Sequence, residues 1–453
     1  MIFQSLVTLL GCYEGPGGRR ALPDSRKVVE WVRRNRLVLL VPKQDFPLRL
    51  AFLTHEPFYP PSGGGSAEAV YLVRELVRRG HEVHVFCPQI PDAENVEAEF
   101  HIRLHQFSKW KMGRYARLRN LKYLLYPFLL ERMAAVAAQE TKFDLVLSQH
   151  AISAVAAGRL KRRLKLPAVM NFPDLLAGFM ETWPAVPRGA IAALVNYEVS
   201  MPAHYGVDGV MAISDTLADY FAERGFPREK ILPIYYGYDA EKFPFRAQFE
   251  DRKGPPVIVM HGSFDAHHLG NIARGAIEYV TQWRPGAVFR FVGRQTESLK
   301  KFLRRAQREI PNFKFQATGF VPYEEVSKHL ADAAIGIVPY EESTGTHCAF
   351  VAKVVEYVAS GLPVVCTHLN SIGRYFRDEP MIRFSEFDSM DFGRKIVSWL
   401  DESPMGWQLG AAQSAARVQA ELDWHPLCRK AADFVEKIYA DSFNEKIGLA
   451  KGH

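Results

Sequence analysis

The chain has 453 residues and a mass of 51.4 kDa, too long for one ordinary core and suited to two domains of about 200 residues each. Apolar residues make up 48% and charged residues 24%, the balance of a globular protein rather than a disordered or membrane-spanning one. A formal charge of +7 and a pI near 9.0 point to an anionic partner: a nucleotide, a nucleic acid or a membrane surface.

Cys12, Cys87, Cys348, Cys366 and Cys428 show no C-x-x-C and no paired spacing, so a reducing, cytoplasmic compartment is expected. No apolar run approaches the roughly 18 to 20 residues of a membrane span. Met1 to Leu10 is apolar but short, and it lacks the basic flank of a signal peptide. A soluble or peripheral protein is expected.

Residues 1–47 read as an extension of unassigned role, with a turn-like GCYEGPGGRR, a short basic helix and a short strand. From residue 48 the pattern is regular. LRLAFLT reads as a buried strand, HEPFYPPSGGGS as a loop with Gly63, Gly64 and Gly65, and AEAVYLVRELVRRG as an amphipathic helix. The strand HEVHVFCP closes a βαβ unit, which implies a parallel sheet. The loop is not G-x-G-x-x-G, so the dinucleotide fingerprint and an NAD-dependent oxidoreductase are disfavoured. Its glycines would let a ligand approach the backbone closely.

Residues 109–132, KWKMGRYARLRNLKYLLYPFLLER, set seven basic residues among aromatics and leucines. Such a segment can lie on an anionic membrane or pack as a solvated helix pair. RLKRRLK at 159–165 reads as an exposed helix end. No nucleic-acid-binding motif occurs. Strands at 143–148, 167–171, 207–213 and 230–236 alternate with helices, and Ser214 reads as a helix cap.

After a polar linker at 241–256 the alternation resumes. Strands are expected at 256–260, 287–293, 313–321 and 333–340, separated by helices, and the chain after Asp401 is helical to about residue 439. Two alternating halves predict an α/β fold of two doubly wound Rossmann-like domains facing across a cleft. The expected division is an extension at 1–47, a first domain at 48–240, a second at 241–400, and C-terminal helices and tail at 401–453 that cross back to the first domain.

The stretch PYEESTGTHCAFVAKVVEYVASGLPVVCT at 339–367 joins a strand, a polar loop, a helix and another strand. Ser343, Thr344 and Thr346 are good N-caps for a helix running to Ala359. A loop entering a helix N-terminus at the carboxyl end of a strand suits an anion. Lys353 and Glu356, three apart, share one helix face, where one can meet a phosphate and the other accept from sugar hydroxyls. An ordinary loop-helix-strand unit carries the same pattern.

Taken in order, the Gly-rich loop with RELVRRGHEVHVFCP, then GVMAISDTLADYFAERGFPREKILPIYYGYDAEKF, FQATGFVPYEEVSKHLADAAIGIVPY and AKVVEYVASGLPVVCT resemble a GT-B glycosyltransferase of the family 4 type, in a K-x-x-E-Y subgroup. The resemblance covers about residues 48–440. It implies retaining transfer of a sugar from a nucleotide donor, with no metal or other cofactor. The second domain would hold the nucleotide and the first the acceptor, a glycan or a lipid-linked glycan. Glu356 would accept from the ribose hydroxyls, Lys353 would meet the diphosphate, and Gly64 and Gly65 would lie under the donor phosphates.

Three positions depart from that pattern. Cys348 stands where the family carries a glutamate that reaches the transferred sugar, and Glu341, Glu342, Thr346 and His347 are the nearby substitutes. The loop HGSFDAHHLG offers Gly262, Ser263, His267 and His268 where an arginine and a lysine usually serve the diphosphate. Asp174 stands where many members have a histidine, and with His150 it is the candidate polar group near the reacting centre. These departures keep a non-catalytic nucleotide-sugar-binding module open as an alternative, beside a GT-B epimerase or phosphorylase.

Overall fold

A computed structural model describes residues 47–61, 64–107, 119–182, 187–247, 254–265 and 267–450. Its first half runs β1 (Arg49–Thr54), α1 (Gly64–Arg78), β2 (Glu82–Pro88), α2 (Ala93–Phe100), β3 (Arg103–Phe107), α3 (Arg119–Glu140), β4 (Leu145–Gln149), α4 (His150–Leu164), β5 (Ala168–Phe172), α5 (Arg188–Tyr205), β6 (Gly209–Ala212), α6 (Asp215–Glu223) and β7 (Ile231–Pro233). All seven strands are parallel, in the order β3-β2-β1-β4-β5-β6-β7.

The second half runs β8 (Val257–His261), α7 (Asn271–Trp283), β9 (Val288–Val292), α8 (Glu297–Glu309), β10 (Lys314–Gly319), α9 (Tyr323–Leu330), β11 (Ile335–Val338), α10 (Thr344–Cys348), α11 (Ala352–Ala359), β12 (Val364–Thr367), α12 (Asn370–Tyr375), β13 (Ile382–Ser385) and α13 (Ser389–Leu400). Its six parallel strands take the order β10-β9-β8-β11-β12-β13. The chain closes with α14 (Pro404–Leu422) and α15 (Trp424–Ala450).

The central strands are buried end to end: every residue of β4, β5, β6, β11 and β12 is inaccessible. Helices cover both faces, so these strands read as unbroken apolar runs rather than as alternation. In each sheet the strand order reverses beside the first strand, between β1 and β4 and between β8 and β11. A reversal of this kind opens a crevice outside the carboxyl ends of the strands. The expected doubly wound pair of Rossmann-like sheets is what forms.

Two local expectations change. Gly64 and Gly65 are the first turn of α1 rather than part of the loop before it; Gly63, the third glycine, lies outside the described residues, as do 1–46 and 108–118. The single helix expected from the 343–346 caps to Ala359 is two helices. Ser343 does cap, exchanging bonds with Thr346 in a capping box, but it caps only the five residues of α10. Ala349 and Val351 then adopt extended backbone, and α11 starts afresh from Val351 with no side-chain cap.

α15 packs against α1 and β6. Arg79 at the end of α1 holds Glu75 at 2.9 Å, Asp433 at 2.7 Å and Glu436 at 2.9 Å. Gly209 leaves room for this helix, since a Cβ there would sit 2.8 Å from the Ile438 side chain. Trp424 is buried and stacks on Tyr71 at 5.5 Å.

The sheets meet through backbone. A Cβ on Gly178 would lie 2.4 Å from the Gly345 nitrogen, and one on Gly345 would lie 2.4 Å from the Phe179 nitrogen. The 3-10 turn Gly178–Thr182 and α10 therefore touch with no side chain between them. Gly345→Val should force this contact open, at about 1–3 kcal/mol of stability. A lower unfolding temperature and a larger radius of gyration by small-angle scattering are expected; unchanged values for both would show that the two surfaces adapt.

Glu68 of α1 is buried under the first sheet, where Asn171 Nδ2 donates to its Oε1 at 2.8 Å. Desolvation pushes its carboxyl up to about 7, against the opposing hydrogen bonds of Asn171 and Gln149. The native state thus holds a proton that the unfolded chain releases near 4.5. Stability from this group is full below that value and is lost as pH rises towards 7, by on the order of 1 kcal/mol per pH unit. Glu68→Gln should flatten the fall in unfolding temperature between these pH values, as followed by differential scanning calorimetry.

Candidate active site

The carboxyl ends of β8 and β11, with the start of α11, build one side of the site. Glu356 lies in α11 with 4% of its surface exposed, so its carboxylate must be met by donors. His261, the last residue of β8, places Nε2 2.5 Å from Glu356 Oε2. Its Nδ1 lies 3.0 Å from the Tyr357 hydroxyl, and its backbone N–H donates to that same oxygen at 3.2 Å. One assignment satisfies all three contacts: Nε2–H donates to Glu356, and the Tyr357 O–H donates to Nδ1. The Tyr323 hydroxyl also bonds to Glu356; burial first, and then that carboxylate, raise its pKa well above the usual tyrosine range.

Lys353 stands one turn earlier on α11. Its Nζ donates to the Tyr340 hydroxyl at 2.9 Å. The lysine stem crosses directly over Gly262, where a Cβ would sit 2.9 Å from Cε. Gly262 has φ +101°, a conformation that also disfavours any side chain. The Tyr340 oxygen is 2.9 Å from His268 Nε2 as well, and the Asp265 N–H donates to Nδ1 of the same ring at 3.1 Å. His267 is half-buried, with its ring 5.0 Å from Phe179 and 5.4 Å from Tyr340. Desolvation, and then the Lys353 charge, push its pKa down to about 3, so it is neutral at working pH. Ser263 follows Gly262 in the same loop, half-buried.

Two of the residues expected at the donor are buried in the turn. Thr346 is fully buried, and its hydroxyl is spent within the turn, accepting from the Ser343 N–H at 2.9 Å and reaching the Glu341 carbonyl at 3.0 Å. Cys348 is likewise fully buried, and burial holds its thiol far above the usual range. Both side chains face the interior. The His347 Nδ1 accepts from the Asn370 N–H at 3.3 Å and its ring packs on Phe387 at 5.3 Å. Glu341 caps α7 by accepting from the Ile272 N–H at 2.9 Å, and Glu342 lies 3.5 Å from His347 Nε2.

The first half faces this surface with the ends of β4 and β5. His150 opens α4 at φ +67°, left-handed backbone that a non-glycine residue rarely adopts and that is often kept where function needs it. Its ring stands edge-on to His55 at 5.0 Å, and Nε2 is 4.0 Å from Glu56 Oε2. Asp174 is half-buried in the loop after β5, near enough for its charge to raise the Tyr340 pKa further, after burial and other charges. The structure therefore brings Asp174 to the Tyr340–Lys353 cluster, while His150 sits with His55 and Glu56.

Three residues at this junction escaped the sequence reading of the site. Glu198 of α5 is buried and accepts from the Leu176 N–H at 2.9 Å and the Ala177 N–H at 2.7 Å, fixing the loop that carries Asp174. Glu181 accepts from the Thr344 N–H and from its hydroxyl, both at 2.7 Å. His261 was read only as the first residue of the loop HGSFDAHHLG, whereas it closes β8. The first two partnerships span 22 and 163 residues, so no local pattern announces them. Ser214, expected as a cap, caps α6 by accepting from the Leu217 N–H, and it also donates to the Cys348 carbonyl at 2.6 Å across the cleft.

Comparison with known proteins agrees with this architecture. Residues 62–242 match the family described as Glycosyltransferase Family 4, and residues 255–402 match Glycosyl transferases group 1. A GDP-mannose-dependent alpha-mannosyltransferase of Mycobacterium tuberculosis (strain CDC 1551 / Oshkosh) is 25% identical over 324 residues, covering 68% of this chain and 76% of that protein. Among solved structures, sucrose-phosphate synthase of Thermosynechococcus elongatus superposes with a TM-score of 0.71 at 14% identity, over 87% of this chain and all of the other. Anabaena HepE in complex with UDP-glucose gives 0.63 at 14% identity, over 86% of this chain and 100% of its own. These two share the fold. With both halves matched in order and the two sheets in place, the chain belongs to the family 4-type GT-B glycosyltransferases, as a hexosyltransferase-type enzyme.

Proposed function

We propose that the protein moves a hexose from a nucleotide-sugar donor to a glycan or lipid-linked acceptor in the cytoplasm, with retention of configuration and without a metal or other cofactor. The observation that carries this reading is the Glu356 carboxylate, buried beside Lys353 at the crevice of the second sheet and oriented by His261. A carboxylate with two acceptor oxygens suits the vicinal diol of a ribose. GDP-mannose and UDP-glucose are the donors to try first, since they stand in the names of the mannosyltransferase and of the HepE complex.

In this reading the bond from the sugar's anomeric carbon to the diphosphate breaks while the acceptor oxygen attacks on the same face. The acceptor proton passes to the leaving phosphate oxygen. Charge grows on the diphosphate, where Lys353, the first turn of α11 and the backbone at Gly262 and Ser263 lie to stabilise it. Gly64 and Gly65 in the first turn of α1 would approach it from the other half, and Gly63 belongs to the same loop in sequence. Asp174, beside Tyr340, would contact the transferred sugar. His150 would orient the acceptor. Residues 353–357 read K-x-x-E-Y, the pattern behind the proposed subgroup, and Tyr357 would serve there to hold His261.

Calorimetric titration tests donor binding. Glu356→Gln should weaken binding of the productive donor by about 10- to 100-fold, the worth of one or two charge-assisted hydrogen bonds. Unaltered affinity would remove Glu356 from the ribose site. Lys353→Met, which keeps the stem over Gly262, should lower kcat/KM by roughly 100-fold, mainly through kcat, if the ammonium stabilises the leaving group. Tight nucleotide binding without turnover on any acceptor would instead favour the non-catalytic module, a reading that Cys348 at the expected glutamate position supports.

A further inference from the structure

We propose that the outward face of α3, flanked by the arginines of α4, docks on an anionic lipid surface. Leu124, Leu125, Phe128, Leu129 and Val136 are 68%, 48%, 54%, 38% and 58% exposed. At 100° per residue these five and the exposed Arg132 fall within one arc of about 140°. The opposite side of the helix carries Tyr126, Leu130 and Ala134, all buried against the domain. Single exposed leucines are ordinary on a soluble protein, but five large apolar side chains on one arc make a contiguous patch of the kind that meets a partner.

Charge selects the partner. The Arg159 guanidinium of α4 lies 5.1 Å over the Phe128 ring, so the basic end of that helix adjoins the apolar patch. Arg163 follows one turn later, 3.8 Å from Glu131 of α3. Between residues 119 and 165 the sequence has nine lysines and arginines against three acidic residues. Apolar side chains at the centre with cations at the edge match the interface of an anionic bilayer, where hydrocarbon lies beneath negative headgroups. A second copy of this chain fits less well, because a two-fold contact would set Arg132 and its neighbours against themselves. A nucleic acid would leave the leucines unmatched. Since α3 is packed on α4 along one side, it lies on such a surface; no helix among the described residues is long and apolar enough to cross a membrane. This surface is formed by α3 and α4 alone, away from the donor crevice of the second sheet, and does not depend on which donor the protein uses.

Flotation of the full chain with phosphatidylcholine vesicles, with and without phosphatidylglycerol, tests it. The wild type should float with the anionic vesicles and be released by salt. Phe128→Glu with Leu129→Glu should cut the bound fraction by at least roughly tenfold, with an unchanged unfolding temperature because both side chains are exposed. Arg132→Glu, on the same arc, should weaken binding to anionic vesicles alone. A wild type that stays with neither kind of vesicle, or a double variant that floats as well as the wild type, would overturn the proposal. So would a wild-type dimer in light scattering that the double variant splits without any vesicle binding, which would assign the face to self-association.

Discussion

A carboxylate taken out of water must be answered by hydrogen-bond donors or by a proton, and the crevice of the second sheet is arranged around answering one. Glu356 is met by His261 and Tyr323, and His261 is in turn held at both its ring and its backbone by Tyr357. Tyr357 is buried against Gly336 of β11, where a Cβ would sit 2.4 Å from its ring. The chain of support therefore runs from the Glu356 carboxylate to a glycine in the middle of the sheet. A larger residue at position 336 would displace Tyr357, release His261, and leave the carboxylate with Tyr323 in place of two donors. One missing side chain inside the core fixes the geometry of a group at the cleft.

The same logic of close approach governs the junction between the halves. Gly178 and Gly345 bring two backbones together, so the alignment of the sheets is set by main-chain atoms rather than by adaptable side chains. Glu181 then fills the N-terminus of α10, and Ser214 reaches the carbonyl at its last residue. Both ends of this five-residue helix are thus satisfied from the first half. That explains why the helix breaks at Ala349: the polypeptide must leave it in extended backbone to start α11 on a new axis, the one that carries Lys353 and Glu356 to the crevice.

The parts legible in the sequence are those encoded by neighbours in the chain. β1, β4, β5, β8, β11 and β12 are short apolar runs that end in glycine, proline or polar turns, and each forms within one or two residues of its expected place. The edge strands β3 and β13, RLHQF and IRFS, went unread because half-covered strands carry no continuous apolar run. The helix break after Cys348 was also hidden. Alanine and valine spaced at helical intervals through 349–355 favour one helix, and only contacts with residues more than a hundred positions away overturn that preference. Lys353 and Glu356 were found because three residues on a helix define a face. Glu181 and Glu198 were not, because their partners are set by the tertiary fold.

Electrostatics gives the last constraint. His267 and His268 occupy the loop where the resemblance expects permanent cations, and the burial that keeps His267 neutral is reinforced by Lys353 itself. Protonating that ring would place two positive charges in one desolvated corner, so the lysine excludes a second cation from its own neighbourhood. Its ammonium also donates to the Tyr340 hydroxyl. Asp174 from the other half and Asp265 from the same loop contribute negative charge near Tyr340. A dianionic leaving group brought there would rely on Lys353 and on oriented N–H groups, whose dipoles persist at any pH and need no counterion.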